Sequence, residues 1–449
     1  MDKTLRDYAA RSAPRYTSYP TAPHFTDVID SASYADWLRC VPDEVSFSLY
    51  AHIPFCRSIC HYCGCHTKAT RQEAPVRAYA RTLLQEIDLV TGRIGQGRPL
   101  KHLHWGGGTP SLLPHDKLKR IASKIYRYFD ISPTIEHAIE LDPRTVDLAL
   151  ADLLAEIGVN RVSLGIQDFS PKVQSAIGRI QSYNDVGLAV ANLRAAGLER
   201  LNLDLMYGLP NQGEREVIDT IEYAVALKPD RIALFGYAHV PWMKKHQRLI
   251  DTDAMPDVIE RFELSEMAIE KLLGHGYRRI GLDHFALPSD SLAIAAETGT
   301  LRRNFQGYTA DPADVLVGVG VSSISKLPNG YAQNDPDIRR WRTAIESGSF
   351  PVVRSKRIDI DDRLRHDVIE RLMCDFEADV DQICANYDTP PDALSDSSTA
   401  LAAFEADGLV EISGSRLRVP DDRKAFVRVV ASAFDKYLGS NATKHSVAV

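Results

Sequence analysis

No apolar run in this chain approaches the roughly 20 residues that a membrane-crossing helix needs, so a spanning protein is not expected. The opening MDKTLRDYAARSAPRY is polar and holds no segment that could act as an export signal. Cysteine is scarce, with seven in 449 residues, which excludes a disulfide-stapled scaffold and points to a reducing compartment, the cytoplasm. A surplus of positive charge is also missing. Lysine and arginine total 53 against 60 acidic residues, a net charge of −7, which argues against a general nucleic-acid surface while leaving room for a local basic pocket. Repeats and low-complexity stretches are absent, and 44% hydrophobic residues suffice for one large unit and a smaller one.

Short apolar runs alternate with helical patterns. SLYAHI (48–53), HLHWGG (102–107), HAIEL (137–141), RVSLGI (161–166), LNLDLMYG (201–208) and RIALFGY (231–237) read as strands. Helices are predicted between them at 76–90, 115–129, 147–158, 184–197 and 214–227, where polar positions recur at helical spacing. Six such units predict an α/β fold, a partial or extended parallel (β/α)6-type barrel. A long helix near 256–275 and two further strands in 278–286 and 314–325 extend it.

A charged, irregular stretch at 350–360 reads as a break. Beyond it come helices at 361–378 and near 392–407, a hairpin at 409–419 turning on Ser413 and Gly414, and a closing helix at 421–438. The expected units are therefore an N-terminal extension (1–44), a catalytic barrel with its extension (45–350) and a C-terminal helical, winged-helix-like domain (351–449). The last is not conspicuously basic, which favours a lid or docking role over DNA binding.

Cys56, Cys60 and Cys63, in HIPFCRSICHYCGC, leave three residues and then two between thiols. A four-iron cube is usually held by four thiolates, so three at this spacing would leave one iron open to a small molecule. S-adenosylmethionine is the ligand this suggests, because an electron from a reduced cluster can cleave its sulfonium bond and give a 5′-deoxyadenosyl radical. Zinc is the alternative, with Cys65, His61 or His66 as the fourth ligand. The gap of three between the first two thiols is unusual for a structural zinc site, and the loop follows a strand.

In a parallel barrel, reactive groups gather at the C-terminal ends of the strands. WGGGTPS closes the second predicted strand, and its glycines would let the backbone approach a ligand closely. Glu140 ends the third, where a carboxylate can pair with an ammonium, and Gln167 ends the fourth. Arg179 offers a planar fork for a carboxylate, and Asp204 an acceptor for ribose hydroxyls. Each alone is an ordinary polar residue at a strand end; the succession is what points to a site.

RYTSYPT (15–21), the SLYAHIPFC…CHYCGC block, HWGGGTP, ELDPR, SLGIQDF, DLMYGLP, GYAHVP, LDHFA, NFQGYT, GVGVSSIS and YAQN together resemble the oxygen-independent coproporphyrinogen III oxidase family, over nearly the whole chain. The resemblance implies a radical S-adenosylmethionine oxidoreductase of haem synthesis. Such enzymes decarboxylate two propionates of coproporphyrinogen III to vinyl groups, giving protoporphyrinogen IX, with a 4Fe-4S cluster and two molecules of S-adenosyl-L-methionine. It assigns Cys56, Cys60 and Cys63 to the cluster. Tyr50, Gly107, Glu140 and Ile324 would contact the first S-adenosylmethionine, and Tyr62, Gly108, Thr109, Gln167, Arg179, Asp204 and Ala238 the second. Cys65 and Tyr50 are put forward as catalytic, and Arg15, His239, His284, Arg302 and Arg303 as candidates for the propionates.

Alternatives that share the barrel are a haem-binding chaperone and a radical methyltransferase that opens the haem ring. The chaperones usually have Asp-Phe after the third cysteine, where this chain has Gly64-Cys65, and they lack RYTSYPT. Expected partners are coproporphyrinogen III and an electron donor such as a flavodoxin or ferredoxin, with no nucleic acid and no membrane, the chain acting as a monomer.

Overall fold

Six strands lie side by side in sequence order and all run parallel: β1 (Phe47–Ile53), β2 (Arg98–Gly107), β3 (Phe129–Leu141), β4 (Arg161–Gln167), β5 (Arg200–Tyr207) and β6 (Arg231–Gly236). They belong to a computed structural model of the protein that describes residues 3–439. Residues 1–2 and 440–449, the outer ends of the two expected terminal units, lie outside the described residues.

Alternation along the strands sets the layers. Leu49, Ala51, Leu103, Trp105, Ile139, Val162, Leu164, Leu203, Leu205, Ile232 and Leu234 are buried in one continuous apolar cluster beneath the helices. Those helices are α1 (Glu73–Ile94), α2 (His115–Tyr128), α3 (Leu148–Glu156), α4 (Tyr183–Ala195), α5 (Glu214–Ala226) and α6 (Val258–Gly274). Their starts are written locally: the side chain of Asp147 accepts from the Leu150 amide, and Ser182 and Asp185 cap α4 reciprocally.

The alternate strand positions turn polar groups to the barrel interior. Near its N-terminal end Arg161 Nε lies 2.9 Å from Glu136, and Arg161 and Arg231 also reach Asp290 at 2.9 and 2.6 Å. Burial alone would raise the Glu136 carboxyl, but Arg231, His102 and Arg161 outweigh it and hold it well below the usual range. Removing Glu136 would leave Arg161 and Arg231 to share Asp290 as their remaining carboxylate partner.

The sheet grows at both edges. A hairpin of β7 (Arg278–Ile280) and β8 (His284–Ala286) adds antiparallel to β6, and β9 (Val315–Val319) adds parallel to β1. β10 (Ile324–Leu327), β11 (Gly330–Asn334) and β12 (Val352–Arg357) follow in turn. The order β12-β11-β10-β9-β1-β2-β3-β4-β5-β6-β8-β7 puts β12 and β7 at the two edges, so the barrel is open; β12 is bridged there by Asp27 at Ser355. The stretch read as a break is thus an edge strand. Only Ser355 of β12 is buried; Arg354 donates to the carbonyls of Ala22, Pro23 and Phe25, and Lys356 and Arg357 lie over the rings of Tyr437 and Trp37, placements that an edge allows.

A second apolar cluster unites the two ends of the described chain. Leu5, Tyr8, Tyr16 and Tyr19 pack with residues of helix α7 (Ile360–Asp375) and with Phe426, Val430 and Phe434. The hairpin turns on Gly414 and Ser415, one residue later than predicted, and forms a three-stranded sheet with Glu377–Asp379. The closing helix is broken into 3-10 segments, Asp421–Phe426 and Ser432–Phe434, around the short helix Val427–Ala431. Residues 425–431 are all buried, and β-branched Val427, Val429 and Val430 disfavour a long helix. Among the described residues no helix is long and apolar enough to cross a membrane.

Candidate active site

The loop that follows β1 is closed at its base by two short parallel strands, Phe55–Cys56 and Lys68–Ala69. The Thr70 amide donates to the Cys56 carbonyl at 2.9 Å, and within the loop the Cys63 amide donates to the Cys60 carbonyl at 3.2 Å. From outside, His246 bonds the Cys63 carbonyl at 2.7 Å, Lys244 donates to that of Cys65 at 3.0 Å and Gln247 to that of Tyr62 at 2.8 Å. Three thiols are thereby held over the C-terminal ends of the strands.

Beneath them lies a cavity of about 350 Å³. Its walls include Cys56, Cys60, Cys63 and Cys65 with Tyr62, then Gly107, Gly108, Thr109, Glu140, Gln167, Arg179, Asp204 and Ala238. These residues come from the ends of β2 to β6 and the segments that follow them. Tyr50 and Ile324 do not line it. Tyr50 stands one layer deeper, against the His104 ring and 3.0 Å from His52 Nδ1, and Ile324 lies on β10.

The thiols fit a cluster better than a single ion. Zinc–sulfur bonds of about 2.3 Å put tetrahedral sulfurs about 3.8 Å apart. Among the described residues only Asp359, Asp361 and Asp362 offer three metal-ligand atoms within 4.8 Å of one another. Cys56, Cys60 and Cys63 do not all come within that distance of one another, so they are not drawn in around a single ion. The two histidines that could complete a zinc site are engaged elsewhere: His61 Nδ1 bonds Ala176 O at 3.1 Å, and His66 Nε2 bonds Pro336 O at 2.9 Å. The Cys65 thiol and amide, with His246 and Lys244, pull Cys63 down to about 6, while burial raises Cys56.

The glycine turn works differently from its sequence reading. Gly107 N donates to Glu140 Oε2 at 3.2 Å, Gly108 N to Ile53 O at 2.8 Å and Thr109 N to Phe55 O at 2.7 Å, so these amides serve the protein itself. A Cβ on Gly106 would meet Glu140 Oε1 at 2.7 Å, and one on Gly108 would meet Phe55 O at 2.5 Å. The glycines thus admit the neighbouring wall where a Cβ would not fit.

Glu140 is fixed by His104 Nε2 at 3.0 Å as well as by Gly107. Burial would raise its carboxyl, yet His104 and the amide prevail and hold it below the ordinary value, charged and ready for a cation. Asp204 accepts from Ser163 Oγ at 2.9 Å and Asn202 Nδ2 at 2.8 Å, and burial with the facing charge of Glu140 pushes it up to about 6. Arg179 donates to Gly165 O at 2.7 Å, and its buried Nε has no hydrogen-bond partner. Gln167 ends β4 in the left-handed region, φ 68°, beside an irregularity in the pairing with β5.

Of the propionate candidates, Arg15 lines the cavity and bonds Gly236 O at 2.8 Å. Arg303 is buried behind it, donating to the Arg15 carbonyl at 3.2 Å, and His284 is paired with Asp283 at 2.7 Å. His239 is held by Tyr237 at 2.9 Å. Arg302 is apart, paired with Asp314 at 2.6 Å and facing a different pocket. Sequence reasoning missed His52, His104, Asp142 and Ser163, which support or line the site. The period-two spacing of Tyr50 with His52 and of His102 with His104 is a signal that could have found the histidines.

The model of the Radical SAM superfamily matches residues 50–224. The oxygen-independent coproporphyrinogen III oxidase of Bradyrhizobium diazoefficiens is 46% identical over 98% of both chains, and that of Pseudomonas aeruginosa 38% identical over 96% of this chain and 94% of its own. The solved structure of coproporphyrinogen III oxidase (HemN) from Escherichia coli, a Radical SAM enzyme, is 34% identical and superposes with a TM-score of 0.91. It covers 97% of this chain and 99% of that one. Matched over nearly its whole length, this chain belongs to the oxygen-independent coproporphyrinogen III oxidase family of the Radical SAM superfamily.

Proposed function

We propose that the chain converts coproporphyrinogen III to protoporphyrinogen IX without oxygen, using a 4Fe-4S cluster on Cys56, Cys60 and Cys63 and two molecules of S-adenosyl-L-methionine. The observation that carries this is one cavity lined by three thiols together with Glu140, Arg179 and Asp204, the Arg179 guanidinium standing 3.6 Å from the Cys60 sulfur. The bound cluster and S-adenosylmethionine supply a 5′-deoxyadenosyl radical able to take a hydrogen atom from a propionate β-carbon. Each propionate loses that hydrogen, carbon dioxide and one electron to become a vinyl group, and two rounds complete the product.

The chain's own groups bind and orient. Glu140 takes the ammonium of a methionine moiety, and Arg179 presents its fork to a carboxylate. Asp204, held by Ser163 and Asn202, meets ribose hydroxyls, and Tyr62 offers its ring for stacking. Cys65 stands in the cavity without being needed as a fourth ligand. An external one-electron donor, a flavodoxin or ferredoxin, would approach over residues 240–249, whose Trp242, Met243 and Leu249 are exposed beside the thiol loop. The proposed setting is a reducing cytoplasm, which seven free thiols suit, with the chain acting as a monomer.

The test is an anaerobic assay with coproporphyrinogen III, a reductant, S-adenosylmethionine and an electron acceptor or cell extract. Protoporphyrinogen IX, carbon dioxide, methionine and 5′-deoxyadenosine are expected. Tight haem binding with the porphyrinogen left untouched would instead identify a chaperone, and consumption of haem to a linear tetrapyrrole a ring-opening enzyme.

A further inference from the structure

Beside the main cavity, and sharing Arg15 and Gly236 with it, is a second and smaller one of about 40 Å³. Arg261, Arg279 and Arg428 converge on it with Arg15, coming respectively from α6, β7, the short C-terminal helix and the N-terminal segment. Its acidic lining residue is Asp283, already engaged by His284 Nδ1 at 2.7 Å. Glu266 acts on Arg279 from α6, but among the described residues no carboxylate forms an ion pair within 4.0 Å of Arg15, Arg261 or Arg279.

The arginines are built in rather than draped over the surface. Arg261 is 8% exposed, its buried Nε has no hydrogen-bond partner, and its guanidinium lies over the Tyr207 ring. A Cβ on Gly236 would stand 2.7 Å from Arg261 Nη2, so only the backbone of the shared wall separates this group from the main cavity. Arg428, 5% exposed, donates to Ala13 O at 3.3 Å. Burial and the neighbouring Arg15 push Arg428 down to about 9, and burial lowers Arg261 and Arg279 too. Arg15, Arg261 and Arg279, gathered largely out of water with no ion-paired carboxylate among the described residues, are costly to hold together unless an anion joins them.

We propose that Arg15, Arg261, Arg279 and Arg428 form a receptor for one carboxylate of the substrate, a propionate held while another reacts in the main cavity. This rests on the proposed activity, which supplies a tetracarboxylate. So small a space between guanidiniums suits a carboxylate tip better than the macrocycle that carries it. Guanidinium forks suit that tip, and their number fixes the substrate's orientation as well as its charge. Arg428 gives the C-terminal segment a direct part in binding.

The probe is coproporphyrin III, the unreactive aromatic tetracarboxylate, titrated anaerobically by fluorescence into the cluster-loaded protein, with its tetramethyl ester as control. Arg261→Gln and Arg279→Gln should each weaken the acid at least ten-fold, leave the ester unchanged, and raise KM for coproporphyrinogen III. Arg261→Lys should recover part of the binding. If iron content shows that Arg261→Gln does not fold, the half-buried Arg279→Gln decides. Variants that bind the acid as tightly as the wild type, or lose the ester equally, overturn the receptor while wild-type turnover leaves the activity standing. A loaded wild type that neither binds the porphyrin nor turns over the porphyrinogen overturns both.

Discussion

Arg179 Nη1 stands 3.6 Å from the sulfur of Cys60, while its Nη2 donates to the Gly165 carbonyl at 2.7 Å and lies 3.6 Å from the Asp142 carboxylate. One guanidinium thus ties the thiol loop after β1 to the ends of β3 and β4. Burial would lower it, but Tyr62, Asp142 and Cys60 prevail and keep it charged. Arg179→Lys keeps the charge and loses the fork, so S-adenosylmethionine binding should weaken about ten-fold. Equilibrium dialysis on the reconstituted protein checks this, and an unchanged constant would reduce Arg179 to a structural tie.

Replacing Cys56, Cys60 or Cys63 singly by Ala should sharply reduce bound iron and the brown absorbance after anaerobic reconstitution. Cys65→Ser should keep both and lose turnover. Stoichiometric zinc in anaerobically purified protein would contradict the cluster.

Glu140→Gln removes the charge while leaving the shape. Charge-assisted hydrogen bonds are worth about 1.5–3 kcal/mol, so affinity for S-adenosylmethionine should fall about ten- to a hundred-fold with the cluster retained. The cofactor-induced change in the paramagnetic spectrum of the reduced cluster, followed at limiting cofactor, reports the loss. A full-sized change would remove Glu140 from the ammonium site.

Gly108→Ala places a methyl 2.5 Å from the Phe55 carbonyl, a backbone atom that cannot swing aside. Phe55 precedes the first thiol, so the variant should retain less iron although it alters no ligand. Iron occupancy equal to wild type would show that the loop base shifts freely.

Glu86 on α1 is buried among donors, the Gly320 amide at 2.7 Å, Asn334 Nδ2 at 2.6 Å and Trp341 Nε1 at 3.1 Å, and burial lifts it to about 7. Between its unfolded value of 4.5 and about 7 the native state holds a proton that the unfolded chain has released. Unfolding free energy should therefore fall as pH rises through that window, by up to about 3 kcal/mol from this group, and level off above it. Urea denaturation at pH 5 and pH 8 measures the slope, which Glu86→Gln should flatten. An identical slope in the variant would assign it to other groups, such as Asp168, also lifted to about 7 by burial.

The parallel strands and the thiol spacing were legible because each is a local pattern, period-two burial or a fixed count between cysteines. Strand ends followed from the barrel rule, which is why Glu140, Gln167, Arg179 and Asp204 meet in one cavity. What stayed hidden depends on partners distant in sequence. Glycine amides are spent on Glu140 and on the backbone beside Phe55, Tyr50 sits a layer below the cavity, and β12 pairs at an edge despite its charge. The arginine pocket draws on segments more than 400 residues apart, from Arg15 to Arg428, and no local motif announces it.

The apolar cluster that joins residues 5–19 to residues 364–434 has a consequence for the order of events on the ribosome. Tyr8, Tyr16 and Tyr19 cannot be buried until their partners have been synthesised, so Arg15, on the same segment, is fixed only when translation is nearly over. Once residue 238 has been made, the other walls of the cavity are present while the wall carrying Arg15 still lacks its partners. Proteolysis of ribosome-bound chains should accordingly cut within residues 5–19 until release. Protection of that segment in chains halted before residue 364 would show that it finds its place without the partners described here.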